Sequence, residues 1–319
     1  MKEDLLVVRN LKTYYFTSAG AVKAVDDVSL TVHEGESVGI AGESGCGKST
    51  FAFSLLKMVP PPGKIVDGEI ILDGTDITKL SEDRMRREVR WKKISMIFQG
   101  AMNCLTPVYK VGYQIAEPLI YHLNLSKEEA LERARKSLRL VGLPEEIAER
   151  YPHELSGGMK QRVIIAMALV LNPKIVIADE PTTALDVIIQ AQILNLLKEL
   201  KDKQKLSIIL ITHDLSIMAE LVDRVVIMYA GKFVEIGVSD NIYKDPAHPY
   251  TKMLLKAIPR LREKVSQLEF IPGEPPNLIN PPSGCRFHPR CPFKKDICKY
   301  QVPRLKEIND KHFVACHLY

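Results

Sequence analysis

Short apolar runs separated by turn-forming residues open the chain and predict strands over Leu5–Arg9, Val28–Val32, Ser37–Ala41 and Gly68–Asp73. A helix is predicted over Lys48–Met58, where apolar residues recur at helical spacing and stop before three prolines. Strands and helices then alternate in the second half of the chain over Ile175–Ala178, Val187–Lys201, Ser207–Thr212, Leu215–Leu221 and Arg224–Met228. Near-continuous apolar strands that alternate with helices predict an α/β fold, with a parallel sheet covered on both faces.

The middle and the end of the chain have different patterns. A charged, helix-prone stretch runs from Arg84 to about Tyr151, interrupted by a predicted strand at Ile94–Phe98. Ser126 and Glu129 form a capping box that predicts a helix ending near Val141. The composition shifts near Pro259, and five prolines within Ile271–Pro282 predict an irregular linker.

Composition and charge exclude some classes of protein. The chain has 319 residues, of which 46% are hydrophobic, and a formal charge of +5, which is too small to indicate nucleic-acid binding by itself. An ordinary globular balance argues against wholesale disorder, and no apolar run of about 18 residues predicts a membrane-spanning helix. The N-terminal residues lack the apolar core of a secretory signal, so a reducing cytosol is the expected compartment.

Residues Gly42–Ser49 carry the pattern G-x-x-x-x-G-K-S/T between a predicted strand and a predicted helix. Its glycines allow a loop whose amide groups all point inward at phosphate oxygens, and the helix adds its positive end. Lys48 is expected to reach the β- and γ-phosphates, and the hydroxyl of Ser49 to bind Mg²⁺. Cys46 occupies a position where the backbone acts, so no role follows for its thiol. A chance glycine-rich turn is the plain alternative.

Two carboxylates, Asp179 and Glu180, end the apolar strand that begins at Ile175. Acidic groups at such a position are costly unless they meet a cation or take part in chemistry. Asp179 is placed to hold Mg²⁺, and Glu180 to act as general base toward the attacking water. The alternative is a solvated strand end before Pro181.

Three further features complete the set of candidates. Leu155–Gln161 begins a helix with Ser156 as a natural N-cap and with Gly157 and Gly158 exposing backbone amides, which predicts a second phosphate-binding helix end. Gln99 and His213 each follow a predicted strand, where their side chains could contact Mg²⁺ or water and the γ-phosphate, respectively. Each of these two residues alone is as well explained as a hydrogen-bonded polar residue.

In this order the motifs resemble those of the nucleotide-binding subunit of an ATP-binding cassette (ABC) transporter. Gly42–Ser49 is similar to Walker A, Gln99 to the Q-loop, Leu155–Gln161 to the ABC signature, Asp179 and Glu180 to Walker B, Ala184–Asp186 to the D-loop and His213 to the switch histidine. The resemblance implies catalytic roles for Glu180, His213 and Gln99, and Mg²⁺ binding by Ser49, Gln99 and Asp179. It implies ATP contacts by Tyr15 (or its neighbours Tyr14 or Phe16), Gly42, Ser44, Gly45, Cys46, Gly47, Lys48, Ser49, Thr50, Ser156, Gly157, Gly158 and Asp186.

The resemblance also implies a domain organisation. Residues 1–260 are expected to form a P-loop ABC ATPase with a RecA-like core, an antiparallel β subdomain and an α-helical subdomain at about residues 100–170. Residues 261–319 are expected to form a cysteine-rich C-terminal extension.

The segments Pro246–Thr251, Ile271–Pro282 and Gly284–Pro292 narrow the resemblance to the oligopeptide/dipeptide (and nickel) importer branch. This branch implies a peripheral ATPase on the cytoplasmic side of the cell membrane. Its implied partners are two integral-membrane permease subunits, a second ABC ATPase chain and, indirectly, a periplasmic or extracellular substrate-binding protein. Two ATPase chains would pair head to tail, with Walker A of one and the signature of the other on each ATP. Gly100, Ala101 and Cys104 depart from the usual residues of the segment that faces the permease.

Four cysteines, Cys285, Cys291, Cys298 and Cys316, crowd the end of the chain, and in a cytosolic protein this favours metal binding over disulfides. Thiolates suit either zinc or iron–sulfur clusters, although the absence of a CxxC pair weakens a structural zinc site, and free thiols remain open. The importer branch implies a 4Fe-4S cluster, which is expected here with zinc as the alternative.

Two other functions fit parts of the sequence. A soluble ABC ATPase that acts on nucleic acid or ribosomes shares the nucleotide motifs, but one cassette and no sustained heptad pattern between Lys48 and Ser156 argue against it. A metal-cluster sensor that only binds ATP would leave Glu180 without a role.

Overall fold

The computed structural model describes residues 3–257 and 271–319. Its strands are β1 Asp4–Thr17, β2 Gly20–His33, β3 Ser37–Ala41, β4 Gly63–Leu72, β5 Thr75–Asp76, β6 Ile94–Ile97, β7 Ile175–Asp179, β8 Ser207–Ile211, β9 Arg224–Tyr229, β10 Lys232–Val238, β11 Lys306–Asn309 and β12 His312–Val314. Its helices are α1 Lys48–Leu55, α2 Glu82–Arg84, α3 Val111–Leu123, α4 Lys127–Leu140, α5 Gly157–Leu169, α6 Val187–Gln204, α7 Leu215–Leu221, α8 Ser239–Lys244 and α9 Pro249–Lys256.

The chain divides into two compact units, and it passes from one to the other within β8. The first unit comprises the described residues of Met1–Thr78 and Leu210–Tyr319, and the second comprises Lys79–Ile209. The predicted domain boundary at residues 260 and 261 lies outside the described residues. No helix in the two described ranges is both long enough and apolar enough to cross a bilayer.

The first unit contains an antiparallel sheet and part of a mixed sheet. The antiparallel sheet has the order β2-β1-β4-β5. In the mixed sheet β3 pairs in parallel with β9, and the antiparallel strands β10, β12 and β11 follow in that order. The C-terminal residues therefore add two strands to this sheet. Residues 271–282 contain no helix or strand, as the prolines predicted.

The second unit holds the parallel pair β6 and β7 together with helices α2–α6. All five residues of β7 are buried, so this strand has no polar face. The capping box at the start of α4 is confirmed: the Ser126 hydroxyl accepts from the Glu129 amide, and the Glu129 carboxylate accepts from the Ser126 amide.

Several element boundaries differ from the prediction. β1 and β2 are each 14 residues long, much longer than the runs Leu5–Arg9 and Val28–Val32. Register shifts interrupt their pairing, and a bulge breaks the alternation by which a strand is found in sequence. Helix α1 ends at Leu55 rather than Met58, because Lys57 adopts a left-handed backbone with φ of 49°.

Candidate functional site

The loop between β3 and α1, in the first unit, has the tight backbone that its glycines predicted. Gly47 has a φ of 113°, and a Cβ there would lie 2.0 Å from the carbonyl oxygen of Ala24. At Gly42 a Cβ would lie 2.1 Å from the carbonyl oxygen of Met228. Both distances are shorter than any real contact, so neither position accepts a side chain without displacing neighbouring backbone. Packing against two other strands therefore sets the course of this loop.

Lys48, the first residue of α1, is 7% exposed and lies across the loop. Its ammonium donates to the carbonyl oxygens of Gly42 at 2.7 Å and Glu43 at 3.0 Å. An ammonium group has three donors and no acceptor, so Lys48 is held by the loop through backbone atoms rather than by a carboxylate. The charge is thereby kept next to the amide groups of the loop.

The expectation that every amide of this loop points at phosphate is wrong for two residues. The Glu43 amide donates to the hydroxyl of Tyr250 at 2.9 Å. The Cys46 amide donates to the carbonyl oxygen of Glu43 at 3.3 Å, which closes a turn inside the loop. Packing by Tyr250, a distant residue, and a local turn thus use amides that the motif alone assigned to the ligand.

Tyr15 is the aromatic residue of β1 that reaches the first turn of α1. Its hydroxyl lies 3.3 Å from the hydroxyl oxygen of Thr50. Tyr14 is turned to a different partner, since its hydroxyl donates to Asp26 at 2.6 Å, and Phe16 is about half exposed. Among these three, Tyr15 is therefore the one that the structure brings to the helix carrying Lys48 and Ser49.

In the second unit, the two acidic residues at the end of β7 differ in environment. Asp179 is the last residue of the strand and is 2% exposed. Glu180 follows with a φ of 47°, a left-handed conformation that is uncommon for a residue with a side chain. Such strained backbone persists only where the surrounding structure imposes it, and it turns Glu180 away from the course of the strand.

Glu180 is oriented by two side chains of the same unit. The amide nitrogen of Gln99 donates to Glu180 Oε2 at 2.7 Å, and the hydroxyl of Thr183 donates to the same oxygen at 3.0 Å. The sequence singled out Gln99 and Glu180 separately, but nothing in it showed that they touch. It did not single out Thr183 at all, and the only signal was its place three residues after Glu180.

The signature residues lie at the start of α5, and Ser156 caps this helix as predicted. Its hydroxyl accepts from the Met159 amide at 3.4 Å, and the residue is exposed. A Cβ at Gly158 would lie 2.8 Å from the side chain of Ile189, so α5 begins close against α6. Asp186 caps α6 by accepting from the Ile189 amide at 3.0 Å. The signature and D-loop residues are therefore neighbours, each holding the start of one helix.

His213 lies in the first unit, directly after Thr212. The Thr212 amide donates to the carbonyl oxygen of Ile40 in β3 at 3.4 Å, which places His213 near the carboxyl end of β3, where the phosphate loop begins. The imidazole is exposed.

The residues predicted to hold Mg²⁺ carry the right donors for it. Ser49 offers a hydroxyl, Gln99 an amide oxygen and Asp179 a carboxylate. The amide nitrogen of Gln99 is engaged by Glu180, which leaves the oxygen of that amide for a cation. Mg²⁺ prefers hard oxygen ligands and is usually bound by one or two carboxylates with substrate phosphates and water, so this set fits it.

The four C-terminal cysteines do not support the expected cluster. All four lie within the described residues, where no group of three or more His, Cys, Asp or Glu side chains could hold a metal ion. The structure has them as free thiols. Cys298 is buried and accepts from the Lys295 amide at 3.4 Å, while burial raises the pKa of Cys285 to about 11. The prediction of a 4Fe-4S or zinc site is corrected accordingly, because crowding in sequence did not become convergence of ligands.

Comparisons with known proteins agree with the motifs. A family model described as ABC transporter matches residues 25–183, and one described as oligopeptide/dipeptide transporter, C-terminal region, matches residues 234–298. The chain is 48% identical over 320 residues to a probable peptide ABC transporter ATP-binding protein of Sinorhizobium fredii, covering 99% of this chain and 95% of the relative. It is 47% identical over 319 residues to a dipeptide transport ATP-binding protein of Bacillus subtilis, with the same two coverages. The chain belongs to the ABC transporter ATP-binding proteins.

Solved structures of ABC cassettes share this fold. A dimeric bacterial ABC transporter cassette superposes with a TM-score of 0.64 at 33% identity, covering 73% of this chain and 98% of that one. A dimeric ATP-binding cassette in a post-hydrolysis state bound to ADP and Pi gives a TM-score of 0.64 at 32% identity, with the same coverages. The ABC cassette fold with mixed α/β content is thereby confirmed, and the chain is an ATPase of this family. The nucleic-acid or ribosome alternative is not favoured.

Proposed function

We propose that this ABC ATPase is the energy-coupling subunit of a membrane importer for dipeptides or oligopeptides. The observation that carries the ATPase part is the carboxylate of Glu180, fixed by Gln99 and Thr183 at the end of the buried strand β7. The peptide part is supported by residues 234–298, which match the C-terminal region of oligopeptide/dipeptide transporters, and by relatives whose names state peptide or dipeptide transport.

Each motif has a role in this proposal that follows from its chemistry. Lys48 neutralises charge on the phosphates, and the loop amides and the start of α1 add further donors. Tyr15 stacks on the adenine. When bound, Mg²⁺ supplies charge for the phosphate oxygens, and Ser49, Gln99 and Asp179 are the residues that would hold it. Glu180 accepts the proton of the attacking water, and His213 hydrogen-bonds the γ-phosphate.

The remaining residues act through a second copy of the cassette. The exposed hydroxyl of Ser156 and the amides of Gly157 and Gly158 begin α5, so they form a helix end that suits the phosphates of an ATP bound by a partner chain. Asp186 holds the neighbouring helix start. Head-to-tail pairing of two cassettes is supported by the dimeric solved relatives. The partner is a second copy or a related ATPase chain.

The complex is proposed to lie on the cytoplasmic side of the cell membrane. There the ATPase pair contacts two permease subunits, and a substrate-binding protein delivers peptide on the other side. Closure of the pair on ATP moves the permeases, and hydrolysis resets them.

Uptake of radiolabelled dipeptides and of a labelled pentapeptide, measured in the native host with the gene deleted, tests this proposal. We expect uptake of at least one peptide class to fall to background, and to return with the wild-type chain but not with Glu180→Gln. Glu128→Gln, a change at an exposed glutamate of α4, serves as the matched control and should restore uptake. Unchanged uptake in the deletion strain would reject the peptide assignment.

A further inference from the structure

Glu43, the residue after Gly42 in the phosphate loop, is gripped by an arginine from the C-terminal part of the chain. Arg290 donates from Nη1 to Glu43 Oε2 at 2.7 Å and from Nη2 to Oε1 at 3.0 Å. This is a bidentate pair, the geometry in which a guanidinium fixes both the position and the plane of a carboxylate. The Arg290 side chain is 6% exposed and that of Glu43 is 23% exposed, so solvent screens the pair only in part.

Arg290 is itself held in place from several sides. Its Nε donates to the carbonyl oxygen of Pro272 at 2.8 Å, and its Nη1 donates to the hydroxyl of Tyr229 at 3.3 Å. The guanidinium carbon lies 5.8 Å from the centre of the Tyr229 ring. A long side chain fixed at so many points acts as a rigid strut rather than as a mobile surface charge.

Tyr250 holds the same loop residue through the backbone. Its hydroxyl accepts from the Glu43 amide at 2.9 Å, and the residue is fully buried. Its ring packs 4.6 Å from that of Tyr229 and 5.4 Å from that of Phe287, measured between ring centres. His248 accepts from the Tyr250 amide at 3.1 Å and begins α9, so Tyr250 sits at a fixed point of that helix.

Glu43 in turn holds the lysine that binds phosphate. The carbonyl oxygen of Glu43 is one of the two backbone acceptors of the Lys48 ammonium. The side chain, the amide and the carbonyl of one residue thus join Arg290, Tyr250 and Lys48. A shift of Glu43 would move a carbonyl that orients Lys48, although neither Arg290 nor Tyr250 lies within the loop.

We propose that Arg290 and Tyr250 are positioning residues for ATP binding, which act by holding Glu43 so that the loop presents Lys48 to the phosphates. This rests on the proposed role of the loop in binding ATP. The oligopeptide/dipeptide C-terminal region would accordingly be part of the machinery that sets nucleotide affinity, and not only an attachment to the cassette.

A double-mutant cycle on the full-length chain tests this, with the Kd for MgATP measured by isothermal titration and Tm measured in parallel. We expect Arg290→Met to raise Kd about tenfold and Arg290→Lys, which keeps the charge without the two-pronged contact, to raise it by a smaller factor. In a Glu43→Gln background the further effect of Arg290→Met should be less than about twofold, because the shared partner is already lost. Tyr250→Phe should raise Kd severalfold while keeping the ring packing.

The control is Arg304→Met, a change at an exposed arginine of the same C-terminal region, which should leave Kd unchanged. A lower Tm with unchanged Kd in Arg290→Met would show a role in stability alone and overturn the proposal. Equal effects in the Glu43 and Glu43→Gln backgrounds would also overturn it. If Arg290→Met does not fold, Arg290→Lys and Tyr250→Phe decide the question. Failure of the wild-type chain to bind MgATP would instead refute the nucleotide site itself.

Discussion

The amide nitrogen of Gln99 lies 2.7 Å from Oε2 of Glu180 and donates a hydrogen bond to it. The two residues are 81 positions apart in the chain and meet because β6 and β7 are parallel neighbours whose carboxyl ends lie side by side. A residue that also offers an amide oxygen to Mg²⁺ therefore holds the proposed general base. Cation binding and orientation of the base are linked through one side chain.

Glu180→Gln should abolish turnover while leaving ATP binding intact. Glutamine keeps the size and the hydrogen-bonding capacity of the side chain but cannot accept the proton of water. General-base catalysis commonly contributes a factor of 100 or more, so we expect steady-state ATP hydrolysis by the assembled transporter to fall at least about 100-fold. The Kd for MgATP should stay within about twofold of wild type. Steady-state hydrolysis retained at the level of the Glu128→Gln control would refute the assignment of the base.

Gln99→Ala should slow hydrolysis less than loss of the base does. Removing one donor frees the Glu180 carboxylate to rotate, but Thr183 still contacts the same oxygen. Loss of one orienting hydrogen bond to a charged group costs about 1.5–3 kcal/mol, which corresponds to roughly a tenfold to hundredfold loss in kcat. The double variant Gln99→Ala with Thr183→Ala should approach Glu180→Gln. Gln204→Ala, at the exposed end of α6, is the control, and a kcat for Gln99→Ala equal to that of this control would contradict the orienting role.

Lys48→Ala should weaken nucleotide binding itself. The variant removes a buried ammonium that the loop holds beside its own amides. Loss of a charge-assisted contact to phosphate predicts a Kd for MgATP at least about tenfold higher, measured by isothermal titration on the full-length chain. Lys127→Ala, at an exposed lysine of α4, should bind as wild type does. An unchanged Kd for Lys48→Ala would remove Lys48 from the phosphate site.

Ser156→Ala and Ser126→Ala form a matched pair. Both hydroxyls cap a helix by accepting from the amide three residues on, at 3.4 Å and 3.3 Å. Each substitution should therefore lower the free energy of unfolding by about 1 kcal/mol, seen as a shift in the urea midpoint. Only Ser156→Ala should also reduce ATP hydrolysis by the assembled transporter, since only Ser156 is proposed to contact the partner's nucleotide. Equal hydrolysis in the two variants would argue against the signature role of Ser156.

His248 should make the protein less stable as pH falls. Complete burial lowers the pKa of this imidazole to about 3, below its usual value near 6.5, so the folded protein holds it neutral. Between those two values the unfolded chain binds one proton more than the folded chain. The free energy of unfolding should thus decrease by about 1.4 kcal/mol for each pH unit below about 6.5.

Denaturant unfolding at several pH values between 7.5 and 5 measures this loss. His248→Asn keeps a cap at the start of α9 but cannot titrate, so its stability should fall less steeply with decreasing pH. His153→Asn, which alters an exposed histidine, should follow the wild-type slope. Parallel slopes for wild type and His248→Asn would show that His248 is not the group responsible.

Local pattern in the sequence was enough for the elements and for the motifs. Strand β3 and helix α7 have the predicted bounds, and the caps at Ser126 and Ser156 are confirmed. Periodicity and capping depend on residues only a few positions apart, so they can be read along the chain. The resemblance of the motifs to ABC cassettes, confirmed by the comparisons, has the same origin, because each motif is a short run.

Tertiary structure alone decided which distant groups meet. Gln99 meets Glu180, and Glu43 meets Arg290 across 247 positions, whereas the four crowded cysteines do not converge on a metal. Contacts of this kind depend on how strands align and on which side chains packing turns inward, and a one-dimensional pattern carries neither. The chemistry available at each motif was thus set by sequence, but the orientation of the base and the grip on the phosphate loop were set by folding.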